Sequence, residues 1–336
     1  MAAAFAKKKY FLEAYTGITF RHGGIGGVDM ETILRENGFT AIRLKEGPAP
    51  FVQPLRWLQA KKIIAALQPG DLLLAQFPVY PRMYRYLLKA ALKKKTIPVL
   101  IIMDIDGLKS GNPPLLAKEI RFLRRFTYFI VHGDRMEHWL RQQVPQAVCS
   151  RLGPFDFLAA SAGTRRDPAP VVNYSGNLRK SRFIFQLRDI QGIRFLLYGE
   201  GGETAAHEPA VLWKGVYQPH EMPSVAEGSF GLVWDGDGID GPAGVYGNYM
   251  QYIFHHKISL YILAGLPIFI YSGAGAAGYV TGEGLGWKID SLQELTALVN
   301  RISAAEYAGV REKMKQVAGQ LMKGQHLLAA IERFNF

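Results

Sequence analysis

The chain has 336 residues, of which 49% are hydrophobic and 20% are charged. These values exclude a disordered chain and favour two α/β domains of about 150 residues each. The longest apolar stretches, 97–103 and 266–271, are far shorter than the ~20 residues that a membrane-spanning helix needs. No signal peptide is recognisable at the start of the chain, so we expect a cytoplasmic protein.

The formal net charge is +12. Such an excess of cations attracts polyanions, which include nucleic acids, anionic lipids and phosphorylated small molecules. The Lys and Arg residues occur in several short clusters, and each cluster taken alone is typical of a solvent-exposed surface. Together, the clusters in the N-terminal half predict a weak peripheral attraction to the inner face of an anionic membrane. The single Cys149 excludes an internal disulfide and a cysteine-based zinc site.

Short β-type apolar runs alternate with helical stretches, which predicts parallel sheets of the α/β class. In the first half, strands are predicted at 11–15, 41–44, 71–76, 98–103 and 127–132, with helices at 29–37, 54–67, 81–94, 115–124 and 136–142. In the second half, strands are predicted at 171–174, 194–198, 211–215, 231–234, 267–270 and 286–289. The clearest helices there are 257–264, 291–302 and 304–334, the last with breaks.

The polar, proline-containing segment 158–170 is interpreted as a linker between two domains. It separates a first domain at 1–157 from a second domain at 171–318. Residues 319–336 are predicted to form a C-terminal helix that packs back on the first domain.

A glycine turn, Gly176-Asn177, follows the first predicted strand of the second domain. Such a turn lets the next helix present free amides to an anion. Arg179 and Lys180 add two positive charges that suit a diphosphate. An ordinary turn with solvated basic residues is the alternative interpretation.

A second anion site is predicted at Lys257 and Ser259, because both stand at the start of a helix that points at the interdomain cleft.

The glycine-rich loop 16–27, with Thr16 and Gly17, lacks the dinucleotide fingerprint. It suits close approach to a sugar or phosphate, and a plain flexible connection is the alternative. The loop 234–241 resembles a calcium loop but lacks its final Glu, so a flexible polar loop is predicted.

Asp104 and His132 end two neighbouring buried strands. Because the carboxyl ends of parallel strands meet at one crevice, either side chain is a candidate general base for an acceptor hydroxyl. Hydrogen bonding to loop backbone is the alternative for each residue.

These motifs resemble one family. The segments 229–237 and 246–249, His256-Lys257, 259–261, 264–267, the Gly176 turn and Tyr198-Gly199 together resemble bacterial galactofuranosyltransferases and the streptococcal glucosyltransferases that extend glycans on serine-rich adhesins. Two positions depart from the family pattern, since Met103 and Gly133 stand where His and Asn are usual.

The resemblance implies a GT-B fold, with two Rossmann-like domains facing a central cleft. It implies an inverting, metal-independent transfer of a galactofuranosyl or glucosyl group from a UDP-sugar to a glycan, glycolipid or glycoprotein, with no cofactor. Arg179, Lys180, Lys257 and Ser259 would hold the diphosphate. Tyr217 would lie near the uracil, and Thr16 and Gly17 would approach the diphosphate from across the cleft. The precedent of the family and the aromatic-rich helices favour a homo-oligomer.

Two other functions are considered. A basic nucleotide- or nucleic-acid-binding regulator would suit the charge, but the basic clusters are scattered and no aromatic-basic recognition motif is present, so we expect no nucleic-acid partner. An NAD-dependent enzyme is disfavoured by the missing fingerprint.

Overall fold

The computed structural model describes residues 7–15, 24–45, 47, 49–162 and 167–336. The described chain forms two six-stranded sheets in which all the paired strands are parallel. The first contains β1 (Lys9–Leu12), β2 (Thr40–Ile42), β3 (Leu72–Phe77), β4 (Ile97–Ile102), β5 (Tyr128–Val131) and β6 (Val148–Arg151). The second contains β7 (Val171–Ser175), β8 (Arg194–Tyr198), β9 (Val211–Trp213), β10 (Phe230–Val233), β11 (Ile268–Tyr271) and β12 (Gly286–Ile289). The prediction of parallel α/β sheets is confirmed.

The first sheet has the order β2-β1-β3-β4-β5-β6. Its helices are α1 (Ile25–Glu36), α2 (Ala49–Ala66), α3 (Arg82–Lys93), α4 (Asp106–Lys109), α5 (Pro113–Leu123) and α6 (Asp134–Gln143). Strands β3 and β4 are almost fully buried, because helices cover both faces of the sheet. Helices α2, α3, α5 and α6 contribute to the apolar cluster on one face, and α1 contributes to the cluster on the other.

The second sheet has the order β12-β11-β10-β7-β8-β9, so the order reverses beside β7. Its helices are α7 (Met222–Val225), α8 (Gly244–Tyr249), α9 (His256–Ala264), α10 (Ala277–Gly282), α11 (Leu295–Arg301), α12 (Ala304–Leu321) and α13 (Gln325–Glu332), with 3₁₀ helices at Leu178–Lys180, Arg182–Asp189 and Leu292–Glu294. Helices α9 and α12 share one apolar cluster, and α11 belongs to the cluster on the opposite face. Ligands of such sheets bind at the carboxyl ends of the strands.

Helix α13 packs against the first domain. Leu327, Ala330 and Ile331 are buried in the same apolar cluster as α1. The Asp156 carboxylate accepts hydrogen bonds from the amides of His326 at 3.2 Å and Leu327 at 2.7 Å, which caps the start of the helix. Burial raises the pKa of Asp156 to about 7, although the two amides oppose the shift. Helix α13 therefore belongs to the core of the first domain, although it follows the second domain in the sequence.

The start of the first domain differs from the sequence prediction. Strand β1 ends at Leu12. The Glu13 amide still donates to the carbonyl oxygen of Ile42, but the amides of Ala14 and Tyr15 bind the buried carboxylate of Glu31. Helix α1 begins at Ile25, four residues earlier than predicted, so part of the glycine-rich loop is helical. A Cβ at position 27 would stand 2.7 Å from the Tyr15 ring, which explains a glycine inside this helix.

No helix in the described part of the chain is long and apolar enough to cross a membrane.

Candidate functional site

A cavity of about 210 Å³ lies between the two domains. Its walls are the loops that follow β7, β8 and β9, the first turn of α9, and Ile25 at the start of α1. We call it the small cavity. The residues that line it are Ile25, Phe157, Ser175, Gly176, Tyr198, Gly199, Val216, Tyr217, Pro219, Met222, His255, His256, Lys257 and Leu260. Three of the predicted donor residues, Gly176, Tyr217 and Lys257, therefore meet in one cavity.

The floor of the small cavity requires two glycines. Gly199 has φ +131°, and a Cβ at that position would stand 1.8 Å from the carbonyl oxygen of Gly176. Gly176 itself has φ +151°, and a Cβ there would stand 3.8 Å from the Lys257 Nζ atom. A side chain at position 199 would force the β7 and β8 loops apart, and the positive φ of both residues favours glycine.

Lys257 places a nearly buried cation in this cavity. Its Nζ atom donates to the carbonyl oxygen of Trp234 at 3.2 Å and lies 3.3 Å from the Asp235 Oδ1 atom. The same atom lies 4.2 Å from the centre of the Tyr174 ring. Burial lowers the pKa of Lys257, and the Asp235 carboxylate opposes that shift. A charged amine beside the N-terminus of α9 forms an anion-binding point.

Asp235 is the residue that holds this arrangement together. Besides Lys257, it accepts a hydrogen bond from the Tyr174 hydroxyl at 2.8 Å and lies 2.7 Å from the Nε2 atom of His255. Burial opposes its ionisation, but the attraction of Lys257 and His255 and these hydrogen bonds outweigh burial and hold its pKa well below the ordinary value. Asp235 is thus a fixed anion under the cavity, rather than part of the flexible loop that the sequence predicts.

The two adjacent histidines, His255 and His256, lie on the cavity wall. His255 is the N-terminal flanking residue of α9 and is paired with Asp235. The imidazole of His256 is packed against the rings of Phe155 and Phe157. Burial lowers the pKa of His256 to about 3, with smaller contributions from His132 and His220, so this ring is neutral near pH 7.

The other predicted donor residues lie outside the small cavity. The Asn177 side chain accepts the Arg179 amide at 3.2 Å, at the start of a 3₁₀ helix rather than the α-helix that the sequence predicts. The Arg179 side chain is exposed and lies 3.9 Å from Glu200. The Lys180 Nζ atom lies 5.3 Å from the centre of the Tyr246 ring. Thr16 and Gly17 fall outside the described residues.

Ser259 is placed differently from the prediction. Its side chain is fully buried, and its hydroxyl donates to the carbonyl oxygen of Phe155 at 2.6 Å. This contact joins α9 of the second domain to the end of the first domain. The geometry therefore gives Ser259 a structural contact and places it off the cavity wall.

A second, larger cavity of about 1030 Å³ opens between the domains beside β5 and β11. We call it the large cavity. On the first domain it is lined by His132 and the first turn of α6, and on the second by Ser272, Ala274 and Gly275. The Arg135 guanidinium crosses between the domains and donates to the carbonyl oxygen of Gly273 at 2.9 Å.

His132 lies on the wall of the large cavity, with one of its two ring nitrogens hydrogen-bonded. Its Nδ1 atom lies 2.8 Å from the carbonyl oxygen of Gly153, and since a carbonyl only accepts, Nδ1 carries the proton. The Nε2 atom is buried and has no hydrogen-bond partner among the described residues. Burial lowers the pKa of His132 to about 4, against the opposing effects of Gly153 and the Asp104 carboxylate. The ring is therefore a neutral acceptor at pH 7, as a general base must be.

The Asp104 carboxylate, unlike the Nε2 atom of His132, has hydrogen-bond partners. Its Oδ2 atom accepts a hydrogen bond from the Lys109 ammonium at 2.6 Å. The Tyr249 hydroxyl hydrogen-bonds to Asp104 and also accepts the Ile105 amide at 2.8 Å, which joins α8 of the second domain to the end of β4. Of the two predicted bases, His132 has the free acceptor atom. Asp104 helps to hold the domains together.

The described chain shows no group of three or more His, Cys, Asp or Glu side chains positioned to hold a metal ion. The cations near the small cavity are Lys257 and, outside its lining, Arg179 and Lys180. The contacts of Tyr174, Asp235 and His255 around Lys257 are not predicted from the sequence. The run His255-His256-Lys257 was a usable signal, but its pairing with Asp235 depends on the contact between the β10 loop and α9.

Two family models match the chain. The model described as "Glucosyltransferase 3-like, N-terminal domain" matches residues 8–144, and the model "Glucosyltransferase 3-like, C-terminal domain" matches residues 172–334. The β-1,6-galactofuranosyltransferase WbbI of Escherichia coli K12 is 27% identical over 276 residues, which cover 80% of each chain. Glucosyltransferase 3 of Streptococcus parasanguinis is 23% identical over 272 residues, which cover 78% of each chain.

Solved structures share the fold. Anabaena Alr3699/HepE, solved in complex with UDP and glucose, has a TM-score of 0.60 at 13% identity, with 96% of this chain and 98% of that chain covered. The glycosyltransferase WaaG, involved in lipopolysaccharide biosynthesis, has a TM-score of 0.52 at 11% identity, with 96% and 98% covered. The two parallel sheets, the cleft between them and these matches confirm the predicted GT-B fold. The chain belongs to the glucosyltransferase 3-like family of glycosyltransferases.

Proposed function

We propose that this protein transfers a galactofuranosyl or glucosyl group from a UDP-sugar to a hydroxyl group of a glycan acceptor. The observation that carries the proposal is the small cavity, where the Lys257 ammonium and the N-terminus of α9 face the glycine loops that end β7 and β8. A cation, a helix N-terminus and close-packed glycines suit a diphosphate. The half-exposed Tyr217 ring on the same wall suits a uracil base.

The names of the similar proteins support a UDP-sugar donor and sugar transfer. WbbI is named as a galactofuranosyltransferase and the streptococcal protein as a glucosyltransferase, and both match across most of this chain. HepE was solved with UDP and glucose bound. We propose a UDP-sugar as donor here on these grounds together with the cavity.

We further propose a direct, inverting and metal-independent displacement. His132 takes the proton of the acceptor hydroxyl as that oxygen attacks the anomeric carbon, and UDP departs toward Lys257. A fixed cation and helix amides stabilise the leaving diphosphate in the place that a divalent metal takes in other transferases. The large cavity beside His132 would receive the acceptor.

A thermal-shift panel tests the donor class. Melting temperatures are compared with UDP, UDP-glucose, UDP-galactose, UDP-galactofuranose, GDP-mannose, NAD and a short DNA duplex, each with and without EDTA. We expect the UDP compounds alone to stabilise the protein, because mass action raises stability only for ligands that bind the folded state. Stabilisation by NAD or DNA in place of UDP would contradict the proposal, and loss of the UDP effect in EDTA would contradict metal independence.

The stereochemical course needs a product. Once an acceptor is found in a glycan array, the anomeric configuration of the product is read by NMR against that of the donor. Retained configuration would contradict the inverting displacement while leaving the donor class intact.

The basic surface of the first domain also leads us to propose a peripheral contact with the inner face of an anionic membrane.

A further inference from the structure

A groove between α3 and α5 is lined mainly by cations. Its volume is about 390 Å³, it lies on the first domain, and none of its lining residues belongs to either interdomain cavity. We call it the basic groove. Its lining residues are Arg82, Arg85, Tyr86 and Lys89 of α3, and Lys118, Arg121, Phe122 and Arg125 in and after α5. Six of these eight residues carry a positive charge.

The charge of the basic groove is not balanced locally. Within the described chain, none of its six cations is within ion-pair distance of a carboxylate. Helices α2, α3 and α5 together carry nine Lys and Arg residues and a single acidic residue, Glu119. The Glu119 carboxylate is turned inward, where it accepts the amides of Asp106 at 3.0 Å and Gly107 at 2.7 Å. A group of positive side chains without nearby carboxylates attracts polyanions.

An apolar stripe stands beside the groove on α2. Phe51, Leu55 and Leu58 follow at intervals of four and three residues, so they lie on one side of the helix. Their exposed fractions are 79%, 43% and 57%. The opposite side of the helix is buried through Val52 and Ala60. Large apolar side chains grouped on an exposed helix face mark an interaction surface.

Two aromatic rings connect α2 to the basic groove. The Trp57 ring of α2 packs on the Tyr86 ring of α3, with the ring centres 4.9 Å apart and both rings partly exposed. Tyr86 also lines the groove. Aromatic rings between apolar and charged groups are typical of proteins that sit at a membrane interface, because each ring has an apolar body and a polar edge.

We propose that α2, α3 and α5 form a docking surface for a membrane that contains anionic phospholipids. The stripe Phe51, Leu55 and Leu58 enters the headgroup region, Trp57 and Tyr86 lie at its boundary, and the basic groove binds lipid phosphates. This surface gives a location to the membrane contact proposed above, but it does not depend on the identity of the donor.

Two other occupants fit the surface less well. A nucleic acid would satisfy the cations of the groove but would leave the aliphatic stripe against water. A second copy of the chain, docked by two-fold symmetry, would bring two surfaces of the same positive sign together. A membrane satisfies the cations and the stripe at once, which is the reason to choose it.

One end of the docking surface lies at the edge of the first sheet that faces the cleft. Helices α2, α3 and α5 each follow a strand of the parallel sheet, so their N-termini lie at the carboxyl edge of that sheet, which faces the second domain. Phe51 and Arg82 stand in the first turns of α2 and α3, at that edge. A membrane on this surface would therefore lie beside the mouth of the cleft and present a lipid-linked acceptor to it.

Vesicle co-sedimentation tests the surface. The intact protein is mixed with vesicles of phosphatidylcholine alone or of phosphatidylcholine with phosphatidylglycerol, at low and at high salt. We expect binding to the anionic vesicles only, and weaker binding at high salt because salt screens the cations. The triple variant Arg85→Gln, Lys89→Gln, Arg121→Gln should lower the partition coefficient by roughly a hundredfold. The double variant Phe51→Ser, Leu58→Ser should also weaken binding, and this loss should persist at every salt concentration.

A control variant removes the same number of positive charges from another part of the protein surface. The triple variant Arg188→Gln, Arg301→Gln, Lys323→Gln changes three exposed cations that lie outside α2, α3 and α5, and it should keep most of the vesicle binding. Melting curves with and without UDP show whether each variant is folded and whether the donor site is intact, which separates failure of this proposal from failure of the proposed function.

Three results would overturn the membrane assignment. The first is equal loss of binding in the groove triple and the control triple. The second is absence of vesicle binding together with tight, salt-sensitive binding of a DNA duplex. The third is absence of vesicle binding together with a dimer that dissociates in the Phe51→Ser, Leu58→Ser variant, measured by analytical ultracentrifugation.

Discussion

Asp235 and Lys257 lie 22 positions apart in the sequence and form an ion pair of 3.3 Å under the small cavity. Asp235 comes from the loop after β10, and Lys257 from the first turn of α9. The carboxylate opposes the effect of burial on the Lys257 ammonium, and that ammonium helps to hold the Asp235 pKa below its ordinary value. Each partner therefore helps to keep the other ionised beside the small cavity.

Replacement of Lys257 tests the cation itself. We expect Lys257→Ala to lower kcat/KM by about 100- to 1,000-fold, because it removes a fixed charge from the departing UDP. The UDP-induced rise in melting temperature should shrink in parallel, while the protein remains folded. Lys315→Ala is the control, since Lys315 is exposed and pairs only with Glu312 at the surface. Unchanged turnover in Lys257→Ala would remove this residue from the site.

Replacement of Asp235 tests the pairing. Asp235→Asn keeps an oxygen for the Tyr174 hydroxyl but removes the charge that raises the Lys257 pKa. We expect Lys257 to lose its proton at a lower pH in the variant than in the wild type, so UDP stabilisation should weaken at a lower pH as the pH is raised. The exposed Asp240→Asn is the control and should behave as the wild type does. The same pH profile in all three proteins would show that Asp235 does not tune Lys257.

Ser259 separates a structural role from donor binding. Ser259→Ala leaves the buried carbonyl oxygen of Phe155 without its 2.6 Å hydrogen bond, which costs about 1–3 kcal/mol of unfolding free energy. We expect a melting temperature several degrees lower, with the UDP-induced increment unchanged. Ser110→Ala removes an exposed serine hydroxyl and should leave both quantities as they are. A wild-type melting temperature with a reduced UDP increment would restore the donor role implied by the family resemblance.

The sequence predicted the fold better than the site. Buried parallel strands such as β4 and β8 are continuous apolar runs, and their predicted limits lie within one residue of the observed ones. Strand β6 was missed because Val148–Arg151 is a short, half-exposed edge strand with polar residues. The contacts of Asp235 and Ser259 were not predictable, because each depends on how two distant segments pack. Periodicity reports which face of an element is buried, but it does not identify the partner of a buried polar group.

The buried histidines predict a loss of stability in mild acid. The folded pKa is about 4 for His132 and about 3 for His256, against ~6.5 in an unfolded chain. Below about pH 6.5 the unfolded state binds protons that the folded state does not, so the free energy of unfolding falls as pH falls toward 4. We expect His256→Gln to reduce this slope by about 1.4 kcal/mol per pH unit.

Urea titrations at several pH values give the slope. His207→Gln, at an exposed histidine, is the matched control and should retain the wild-type slope. If His256→Gln also retains it, the imidazole of His256 is not held neutral in the folded state.

His132→Gln tests the general base. The amide of glutamine can still donate to the Gly153 carbonyl, but it offers no basic nitrogen at the position of Nε2. We expect turnover with an acceptor to fall by about 100- to 10,000-fold, while the UDP-induced rise in melting temperature stays as in the wild type. That separation follows from the geometry, because His132 lines the large cavity whereas Lys257 lines the small one.

Two companion variants make the result specific. His326→Gln changes another histidine on the wall of the large cavity and should keep most of the turnover. Asp104→Asn tests the other predicted base, whose carboxylate is already engaged with Lys109 and Tyr249. Should Asp104→Asn abolish transfer with UDP binding intact while His132→Gln remains active, then the carboxylate takes the acceptor proton. In that case the ion pair with Lys109 must open during turnover, because a carboxylate that accepts the proton loses its charge.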